Sequence, residues 1–574
     1  MSRTVYLETF GCQMNELDSE LVAGQLRALG YRFTPNRDTA NVVLFNTCSV
    51  RERAEQKVWS RLGELKERKK TDPALVVGVL GCLAERDGID LIRRMPVVDI
   101  LVGPGELDKL PSLLDNAVKT RESLLADDLY FPRNPEVELP ASSRQMALQG
   151  NTSRRSATLA AAQDSLELLD LSRSISAHGN FDPNGEPSHI QKRSAYVRIT
   201  RGCNKFCTYC VVPFTRGAEI HRPPDNIIDE CKKLADAGVV EITLLGQTVN
   251  HYRFEHAAAA TINGITQPQK GRSYTGGHTR DPFAGANVTT FADLLRRIHD
   301  EVPTVTRLRF VTSFPRDFGD DVLEVIRDHP RICRYLHVPA QTGSNRLLKL
   351  MNRGYEIEEY LNFLARARAF LDQPQLGRPL EVSGDFIVGF PTESDEDFAA
   401  SMELVRKAQY KNAFIFKYSP RPGTVAFDKI PDDVPEATKR RRNNELLNLQ
   451  NQVSEGRAQT YIGREVDVFI EGFSLRERKQ RTRAVAASHT HNAGIALTIN
   501  GQPSPHASAR TLEEETIALP EPADESDLAQ FSARTDTDMI VLFNAPADHA
   551  HSLIGATRRL HITASTALSL IGEL

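Results

Sequence analysis

Four short apolar runs within residues 1–123 constrain the fold of this chain more than any other feature. They are TVYLETF (4–10), NVVLFNT (41–47), ALVVGVLG (74–81) and VDILVG (98–103). Segments with helical periodicity separate these runs. Apolar, β-branched strands that alternate with helices indicate a parallel sheet covered on both faces. We therefore predict an N-terminal parallel α/β domain over residues 1–123.

A cysteine lies one or two residues beyond the end of each of the first three strands, at Cys12, Cys48 and Cys82. The carboxyl ends of parallel strands form the ligand-binding edge of an open sheet, so these residues should converge in space. Three buried core thiols are the alternative, since cysteine is common in protein cores. Core thiols would fall within strands rather than repeatedly at one edge, so we predict a site with three cysteine ligands.

A second cysteine group, Cys203, Cys207 and Cys210, has the spacing C-x3-C-x2-C within RGCNKFCTYC (201–210). Structural zinc sites more often combine two C-x2-C pairs, or cysteine pairs with histidine pairs. Here three thiolates share one loop, and the sequence offers no fourth ligand nearby. Three thiolates on a four-iron cluster leave one iron open to a small molecule. The pattern favours an iron–sulfur site over a zinc loop.

The other two cysteines lack such spacing. Cys231 falls within a predicted helix and Cys333 just before a predicted strand, so we interpret both as structural thiols. His221 and His337 are isolated, and we interpret them as core or surface side chains. An even count of 8 cysteines could suggest disulfides. In a reducing cytoplasm, however, cysteines are more often catalytic or metal ligands.

The β/α alternation returns after residue 191. Strands are predicted at 194–200, 241–246, 306–313, 335–341, 381–390 and 412–419. Six such units indicate a partial (β/α)6 barrel over residues 192–430 rather than the full eight-stranded one. Low-complexity sequence predicts a linker or insertion at 124–191, in which LELLDL (166–171) is a helical turn, and a second insertion at 252–291. A connecting helix and a small OB-like β-barrel over 431–574, with an acidic insertion at 486–530, complete an α/β chain.

A three-cysteine loop after the first strand of a (β/α) barrel resembles the radical S-adenosylmethionine (SAM) superfamily. With a three-cysteine α/β domain before the barrel and a small β domain after it, the chain resembles the radical SAM methylthiotransferases. The motifs that carry this resemblance are YLETFGCQMN (6–15), NTCSVR (46–51), LGCLAER (80–86), LGQTVN (245–250), RLRFVTSFP (307–315), LHVPAQTGS (336–344), MNRGY (351–355), DFIVGFPTE (385–393) and YSPRPGT (418–424). The C-terminal part resembles a TRAM domain, an OB-like RNA-binding barrel.

The resemblance implies two [4Fe-4S] clusters, one at each cysteine group, and SAM as cofactor. SAM cleavage at the barrel cluster yields a 5′-deoxyadenosyl radical, which removes a hydrogen atom from an unactivated C–H bond. The N-terminal cluster supplies the sulfur. An aromatic at Tyr209 is placed near the SAM adenine, and Gln247, Gln341 and Asp385 lie at barrel strand ends, where cofactor contacts are expected. For each of these, a structural hydrogen bond is the alternative.

Within the family, GCQMN and NKFCTYCVVPFTRG resemble the branch that acts on tRNA. That branch methylthiolates C2 of N6-isopentenyladenosine at tRNA position 37, beside the anticodon. Methylthiolation of threonylcarbamoyladenosine in tRNA or of a ribosomal-protein aspartate are the close alternatives. A non-catalytic iron–sulfur RNA-binding protein is an alternative of another class.

Taken over the whole chain, the net charge of −4, from 71 basic and 75 acidic residues, argues against a nucleic-acid partner. Local runs decide the question, because RNA binding needs local positive charge. We predict RNA contacts at Arg441, Arg442, Arg476, Arg478, Lys479, Arg481 and Arg483. For the first run, a solvated helix face is the alternative.

The expected partners are the tRNA anticodon stem-loop and an electron donor of unknown identity, and we expect a monomer. The first residues show no basic segment followed by an apolar one, and no window approaches the ~18 apolar residues of a membrane span. The sequence therefore predicts a soluble, cytoplasmic protein without a membrane partner.

Overall fold

The computed structural model describes residues 3–50, 52–130, 148–149, 164–173, 193–271, 279–285, 287–481, 498–499, 502–503 and 528–574. Two compact units make up the chain, Met1–Thr460 and Tyr461–Leu574. The predicted α/β class is confirmed. Over the described ranges, no helix combines the length and the apolar character that crossing a membrane requires.

The N-terminal part of the first unit is a six-stranded parallel sheet. Its strands are β1 (Thr4–Phe10), β2 (Arg32–Phe33), β3 (Val42–Thr47), β4 (Val76–Gly81), β5 (Ile100–Val102) and β6 (Leu148–Gln149). Its helices are α1 (Gln13–Ala28), α2 (Glu52–Thr71), α3 (Cys82–Arg94) and α4 (Leu110–Tyr130). The strand order is β2-β1-β3-β4-β5-β6, and every pair is parallel. The predicted sheet is confirmed, and α4 continues past the boundary predicted at 123.

Both faces of this sheet are covered, as its apolar strands predict. On one face, Leu7 and Leu44 pack in the same core cluster as Leu21 of α1. On the other, Phe45 packs with Leu62 of α2. Each fully buried side chain of this kind contributes about 1.5–3 kcal/mol. The carboxyl ends of β1, β3 and β4 are therefore held side by side by a tightly packed core.

Residues 193–430 form the predicted partial barrel. The strands are β7 (Ser194–Arg198), β8 (Thr200–Arg201), β9 (Ile220–His221), β10 (Glu241–Leu245), β11 (Arg253–Glu255), β12 (Thr261–Ile262), β13 (Ile265–Thr266), β14 (Gln269–Lys270), β15 (Val288–Thr290), β16 (Arg307–Phe310), β17 (Tyr335–His337), β18 (Glu381–Val388) and β19 (Asn412–Lys417). Parallel pairing joins β7-β10-β16 and β17-β18-β19 into two three-stranded halves. A parallel bridge from Leu308 to Ile332 connects them, so the six-stranded barrel is confirmed.

Helices cover the outside of the barrel. In chain order, and starting with one that precedes the barrel, they are α5 (Ser165–Leu171), α6 (Val212–Thr215), α7 (Pro224–Asp236), α8 (Phe291–Glu301), α9 (Asp320–Asp328), α10 (Asn345–Leu350), α11 (Ile357–Leu371), α12 (Asp395–Ala408), α13 (Val425–Lys429) and α14 (Glu436–Gln459). Cys231 on α7 is fully buried, and Cys333 is 4% exposed, as expected of structural thiols.

Two stretches predicted as insertions contain packed structure. The turn predicted at 166–171 is the helix α5, with Asp164 as its N-cap. Within 252–291, the side chains of Tyr252 and Phe254 are buried in the barrel core. The two stretches also contact each other, because the backbone N–H of Asp164 donates to Gln267 Oε1 at 2.8 Å. The predictions for 131–147, 150–163 and 174–192 lie outside the described residues.

The helix α14 belongs to the first unit, which differs from the predicted boundary at 430/431. It packs against β19 and α12, and Leu446 lies within the barrel core cluster. The division between the units falls instead at Thr460/Tyr461. The few apolar residues of α14 are typical of a connecting helix, but in the structure this helix packs against one side of the barrel.

The second unit is a closed five-stranded barrel. Its elements are β20 (Glu465–Phe473), α15 (475–481), β21 (Thr498–Ile499), β22 (Gln502–Pro503), β23 (Leu528–Thr535), β24 (Ile540–Pro546), α16 (Ala550–Leu553), β25 (Thr557–Ser565) and β26 (Ser569–Glu573). The barrel closes in the order β20-β23-β24-β26-β25. The predicted small β-barrel is confirmed, and most of the insertion predicted at 486–530 lies outside the described residues.

Candidate functional site

The three N-terminal cysteines follow three adjacent strands of the sheet. Cys12 is the N-cap of α1, Cys48 follows β3 directly, and Cys82 is the first residue of α3. The backbone N–H of Cys48 donates to the carbonyl of Phe10 at 3.0 Å. The Cys12 and Cys48 thiols are hydrogen bonded to each other. The structure therefore brings together the three cysteines that the sequence places at this edge, and all are free thiols.

The electrostatics of this group suit thiolate ligands. The hydrogen bond from Cys48 lowers the pKa of Cys12 to about 6, even though burial opposes this shift. The same contact raises the pKa of Cys48, and burial raises that of Cys82. One thiol thus ionises readily while its neighbours hold their protons. Metal binding displaces such protons, because only thiolates are ligands, so this donor set fits a cluster.

Two buried asparagines support the N-terminal cysteines, and the sequence alone did not single them out. Asn15 Oδ1 accepts from Cys12 Sγ at 3.2 Å. Asn15 Nδ2 donates to Asn46 Oδ1 at 2.9 Å, and Asn46 Nδ2 donates to Ser19 Oγ at 2.9 Å. Both asparagines are fully buried. They lie within GCQMN and NTC, so proximity to the cysteines was the available signal.

The barrel cysteine loop is anchored by the turn after α10. Thr208 donates from its backbone N–H to Met351 O at 3.1 Å and from its hydroxyl to Leu350 O at 2.9 Å. Asn352 Nδ2 donates to Phe206 O at 3.0 Å. On the other side, the N–H of Ala426 donates to Thr208 O at 2.8 Å. The loop that carries Cys203, Cys207 and Cys210 is therefore held by the barrel rather than free in solvent.

Positive charge reaches this loop from the MNRGY segment. Arg353 Nη1 lies 3.5 Å from Cys207 Sγ, and Arg353 Nη2 donates to Pro339 O at 2.8 Å. Burial raises the pKa of Cys203 to about 11 and also raises that of Cys210. Without a metal these thiols stay protonated, and a nearby guanidinium favours the thiolate form that a cluster requires. The donor set again fits a cluster.

Gly202, directly before Cys203, is required for this loop to close. Its φ is +69°, and a Cβ there would lie 2.1 Å from Ala218 O and 2.5 Å from Gly217 O. Gly202→Ala is therefore expected to displace Cys203 and to lower the iron content after reconstitution from about eight to about four per chain. An assay of iron and labile sulfide measures the change.

Gly217→Ala is the matched control. Gly217 also has a positive φ, +77°, but nothing lies within 4 Å of the position its Cβ would take. This variant adds only the backbone strain of an alanine in that region, about 1–2 kcal/mol. Equal iron loss in the two variants would show that backbone strain, and not the contact with Ala218, disturbs the loop.

The two cysteine groups are joined through contacts between their domains. Arg216, which follows α6, donates from Nη2 to Asp18 Oδ2 on α1 at 2.9 Å. Arg421, in YSPRPGT, donates to Val50 O at 3.0 Å and pairs with Glu55 Oε1 at 2.7 Å. Val50 follows Cys48 closely, so the barrel contacts the edge of the sheet that carries the N-terminal cysteines.

The four predicted SAM contacts lie in different settings. Tyr209 is partly buried against the cluster around Met351 and Phe390. Gln247 is partly exposed after β10. Gln341 is 8% exposed, and its backbone pairs with Asp385 O at 2.7 Å, so part of its role is structural.

Asp385, the fourth of these residues, is not alone. Its Oδ1 lies 3.1 Å from His337 Nε2, so His337 is a partner of Asp385 rather than an isolated side chain. His337 in turn contacts the ring of Phe414 at a centroid distance of 6.4 Å. Phe414 and Asp385 are paired across β19 and β18, so these groups share one face of the barrel sheet.

His221 is a core residue, as its isolation in sequence predicts. It lies with Glu219 and His251 in a fully buried group whose donor atoms are within 4.8 Å of one another. His221 Nδ1 accepts from the backbone N–H of Arg253 at 3.0 Å. In neutral imidazole the proton is then on Nε2, which leaves that atom no lone pair for a metal ion.

The predicted RNA contact at Arg442 is wrong. Its side chain is 4% exposed, and it donates to Glu393 Oε2 at 2.7 Å and to Asp395 Oδ1 at 2.8 Å. Its charge is therefore engaged within the barrel unit. Arg441 is half-exposed and pairs with Glu445 and Asp395, so the solvated helix face is the better interpretation of this run.

The second basic run presents an exposed surface on the C-terminal unit. Arg476, Arg478, Lys479 and Arg481 are exposed on α15. The Arg481 guanidinium lies 4.1 Å from the centroid of the Phe473 ring and pairs with Glu477. Arg483 lies outside the described residues.

Comparison with known proteins gives two family matches. Residues 4–103 match the Uncharacterized protein family UPF0004, and residues 197–405 match the Radical SAM superfamily. The first match contains Cys12, Cys48 and Cys82, and the second contains Cys203, Cys207 and Cys210.

Relatives of known name are similar over most of the chain. The tRNA-2-methylthio-N(6)-dimethylallyladenosine synthase of Rhodopirellula baltica is 40% identical over 480 residues, which cover 83% of this chain and 86% of that protein. The protein of the same name from Bacteroides thetaiotaomicron is 36% identical and covers 90% and 96%. Among solved structures, the radical SAM methyltransferase TsrM from Kitasatospora setae has a TM-score of 0.41 at 15% identity, over 74% of this chain and 77% of that chain.

Proposed function

Because this chain belongs to the family of tRNA-2-methylthio-N(6)-dimethylallyladenosine synthases, we propose that it methylthiolates C2 of N6-isopentenyladenosine at tRNA position 37. It is a radical SAM methylthiotransferase, and its cofactors are SAM and [4Fe-4S] clusters. The observation that best supports this proposal is the placement of two three-cysteine groups in one compact unit, on domains that contact each other.

The six cysteines have separate roles in this proposal. Cys203, Cys207 and Cys210 hold the cluster that binds SAM, and Cys12, Cys48 and Cys82 hold the cluster that supplies sulfur. A reduced cluster held by Cys203, Cys207 and Cys210 would supply the reductive cleavage of SAM, and with it a radical able to remove the hydrogen atom from C2 of adenine. No ordinary base could do this, since that C–H bond has no accessible pKa.

The protein's own residues orient and shield this chemistry. The segment 350–353 fixes the barrel cysteine loop through hydrogen bonds to Thr208 and Phe206. Arg353 places a buried positive charge beside Cys207. Asp385 and His337 lie on the face of the barrel sheet that also carries Phe414. In this proposal Tyr209, Gln247, Gln341 and Asp385 contact SAM.

The tRNA substrate is bound in part by the C-terminal barrel. Arg476, Arg478, Lys479 and Arg481 are exposed on one short helix, and phosphate contacts from such a helix make affinity fall with salt. Segments that connect the strands of OB-like barrels often bind nucleic acid, and α15 lies in such a connection, between β20 and β23. A tRNA substrate places the protein in the cytoplasm, where it works as a monomer with a separate electron donor.

The test is a reaction with defined tRNA. We expect anaerobically reconstituted protein with SAM and dithionite to convert tRNA that carries N6-isopentenyladenosine into its 2-methylthio form, detected by nucleoside mass spectrometry. The same tRNA with unmodified adenosine at position 37 is the control and should not react. Iron near four per chain in a fully reconstituted sample would contradict the two-cluster assignment.

The alternative substrates are separated by the same assay. Methylthiolation of tRNA with threonylcarbamoyladenosine, or of a ribosomal-protein aspartate, in place of the isopentenyl substrate would overturn the proposal. Absence of 5′-deoxyadenosine from the reduced protein would favour a non-catalytic RNA-binding role.

A further inference from the structure

Arg216 comes from the barrel domain but its side chain lies at the N-terminal cysteine group. It follows α6, the short helix that comes directly after the barrel cysteine loop. Its side chain is only 5% exposed and bonds Asp18, which is fully buried on α1. The helix α1 begins immediately after Cys12. One ion pair thus connects the segment that carries Cys210 to the segment that carries Cys12.

The Arg216 side chain lies near two thiols, Cys12 after β1 and Cys82 after β4. Its guanidinium is hydrogen bonded to the Cys82 thiol. Its charge favours the thiolate forms of both Cys12 and Cys82, although burial keeps the pKa of Cys82 raised. The helix α6 packs against α3, whose first residue is Cys82. The contact is therefore part of the packing between the domains and does not depend on one flexible side chain.

The Asp18 carboxylate orients the Arg216 side chain. The Asp18 carboxylate has two buried cationic partners: Oδ2 accepts from Arg216, and Oδ1 accepts from Arg198 Nη1 at 3.0 Å. Arg198 also binds Asp170 of α5. Asp18 therefore fixes the position of Arg216, and at Cys82 the positive charge of Arg216 acts more strongly than the negative charge of Asp18.

We infer that Arg216 acts on the N-terminal cluster through its charge. It holds a fixed positive charge beside Cys12 and Cys82, and this charge raises the reduction potential of the cluster. The inference rests on the proposed function, which places a cluster at these cysteines. Net charge around an iron–sulfur cluster is one determinant of its potential, because reduction adds negative charge. An arginine stays protonated under all ordinary conditions, so it is a constant source of this effect.

The experiment isolates the N-terminal cluster in the full-length chain. Cys203, Cys207 and Cys210 are replaced by alanine, and Arg216→Gln or Arg216→Lys is added. Iron content and the midpoint potential are then measured by anaerobic redox titration with EPR detection. We expect Arg216→Gln to shift the potential to a more negative value, and Arg216→Lys to retain most of the parent value because it keeps the charge.

The control is Arg93→Gln, since Arg93 is exposed and its ion pair with Asp90 lies at the surface. It should leave the potential unchanged. If Arg216→Gln loses the cluster while Arg216→Lys retains it, the charge role is supported. A full cluster with unchanged potential in Arg216→Gln, or an equal shift in Arg216→Lys, would overturn the inference alone. Absence of any cluster from the parent triple-alanine protein would overturn the N-terminal assignment, and the inference with it.

Discussion

Replacement of Cys203, Cys207 and Cys210 together by alanine is expected to abolish SAM cleavage and tRNA methylthiolation. The three thiols are the complete cysteine set of the barrel loop, and partial burial raises the pKa of Cys203 and Cys210 when no metal is present. Without them the barrel site has no ligands for iron. We expect iron to fall from about eight to about four per chain and 5′-deoxyadenosine formation to be undetectable.

The converse variant separates the two sites. Replacement of Cys12, Cys48 and Cys82 by alanine should also halve the iron but leave reductive cleavage of SAM, while the methylthio product is lost. Cys231→Ala is the control, since Cys231 is fully buried in the barrel core and belongs to neither cysteine group. This variant should keep the full iron content. Residual 5′-deoxyadenosine in the barrel triple variant would contradict the assignment of SAM to that loop.

The placement of the N-terminal cysteines could be predicted because strand ends can be located from local patterns. Apolar runs end at Phe10, Thr47 and Gly81, and the cysteines that follow them converge because neighbouring parallel strands end at one edge. The spacing within 203–210 is local in the same way. Both predictions depend only on short segments and on a general rule of sheet topology.

The contacts around these sites could not be predicted in the same way. The roles of Arg216 and Arg353 depend on which helix packs against which loop, and such pairings connect residues far apart in sequence. In the basic run at 439–442, local sequence led to a wrong prediction of surface exposure. Lys439 and Arg442 are buried against Asp432 and Glu393, although their local sequence resembles a solvent-exposed surface.

Composition was a poor guide to the insertions. The stretch 252–291 contains many small and polar residues, which hide the two aromatics, Tyr252 and Phe254, that anchor it in the core. In 164–173 the residues that fix the segment are acidic. They do so by pairing with buried arginines at 198–222, and a local sequence window does not contain both partners.

Those acidic residues form a buried ionic network with Arg222 at its centre. The Arg222 side chain is fully buried; its Nε donates to Glu167 Oε2 of α5 at 2.9 Å, and its Nη1 donates to Glu230 Oε2 at 2.8 Å. Its Nη1 also donates to Arg198 O at 2.7 Å. This single side chain therefore joins α5, α7 and the end of β7.

Arg222→Met is expected to destabilise the first unit by about 1.5–3 kcal/mol, because it removes charged hydrogen bonds from two buried carboxylates. Glu167 then keeps Arg201, and Glu230 keeps Arg173, as the remaining cationic partner. The methionine preserves the apolar volume, so the loss of stability reports the missing guanidinium group. Denaturant unfolding of the apo-protein, followed by circular dichroism, should show a clearly lower midpoint than the parent. Arg93→Met is the matched control, since its pair with Asp90 is about 70% exposed and surface pairs contribute about 0–1 kcal/mol.

A double variant tests the cause. In Arg222→Met with Glu167→Gln, one of the two carboxylates that lost the Arg222 partner is neutralised, so part of the lost stability should return. Coupled residues of this kind deviate from additivity by about 0.5–3 kcal/mol. If the double variant is less stable than Arg222→Met by the full effect of Glu167→Gln alone, the two side chains act independently and the network does not hold α5 in place. An unchanged midpoint in Arg222→Met would exclude the network as a source of stability for this domain junction.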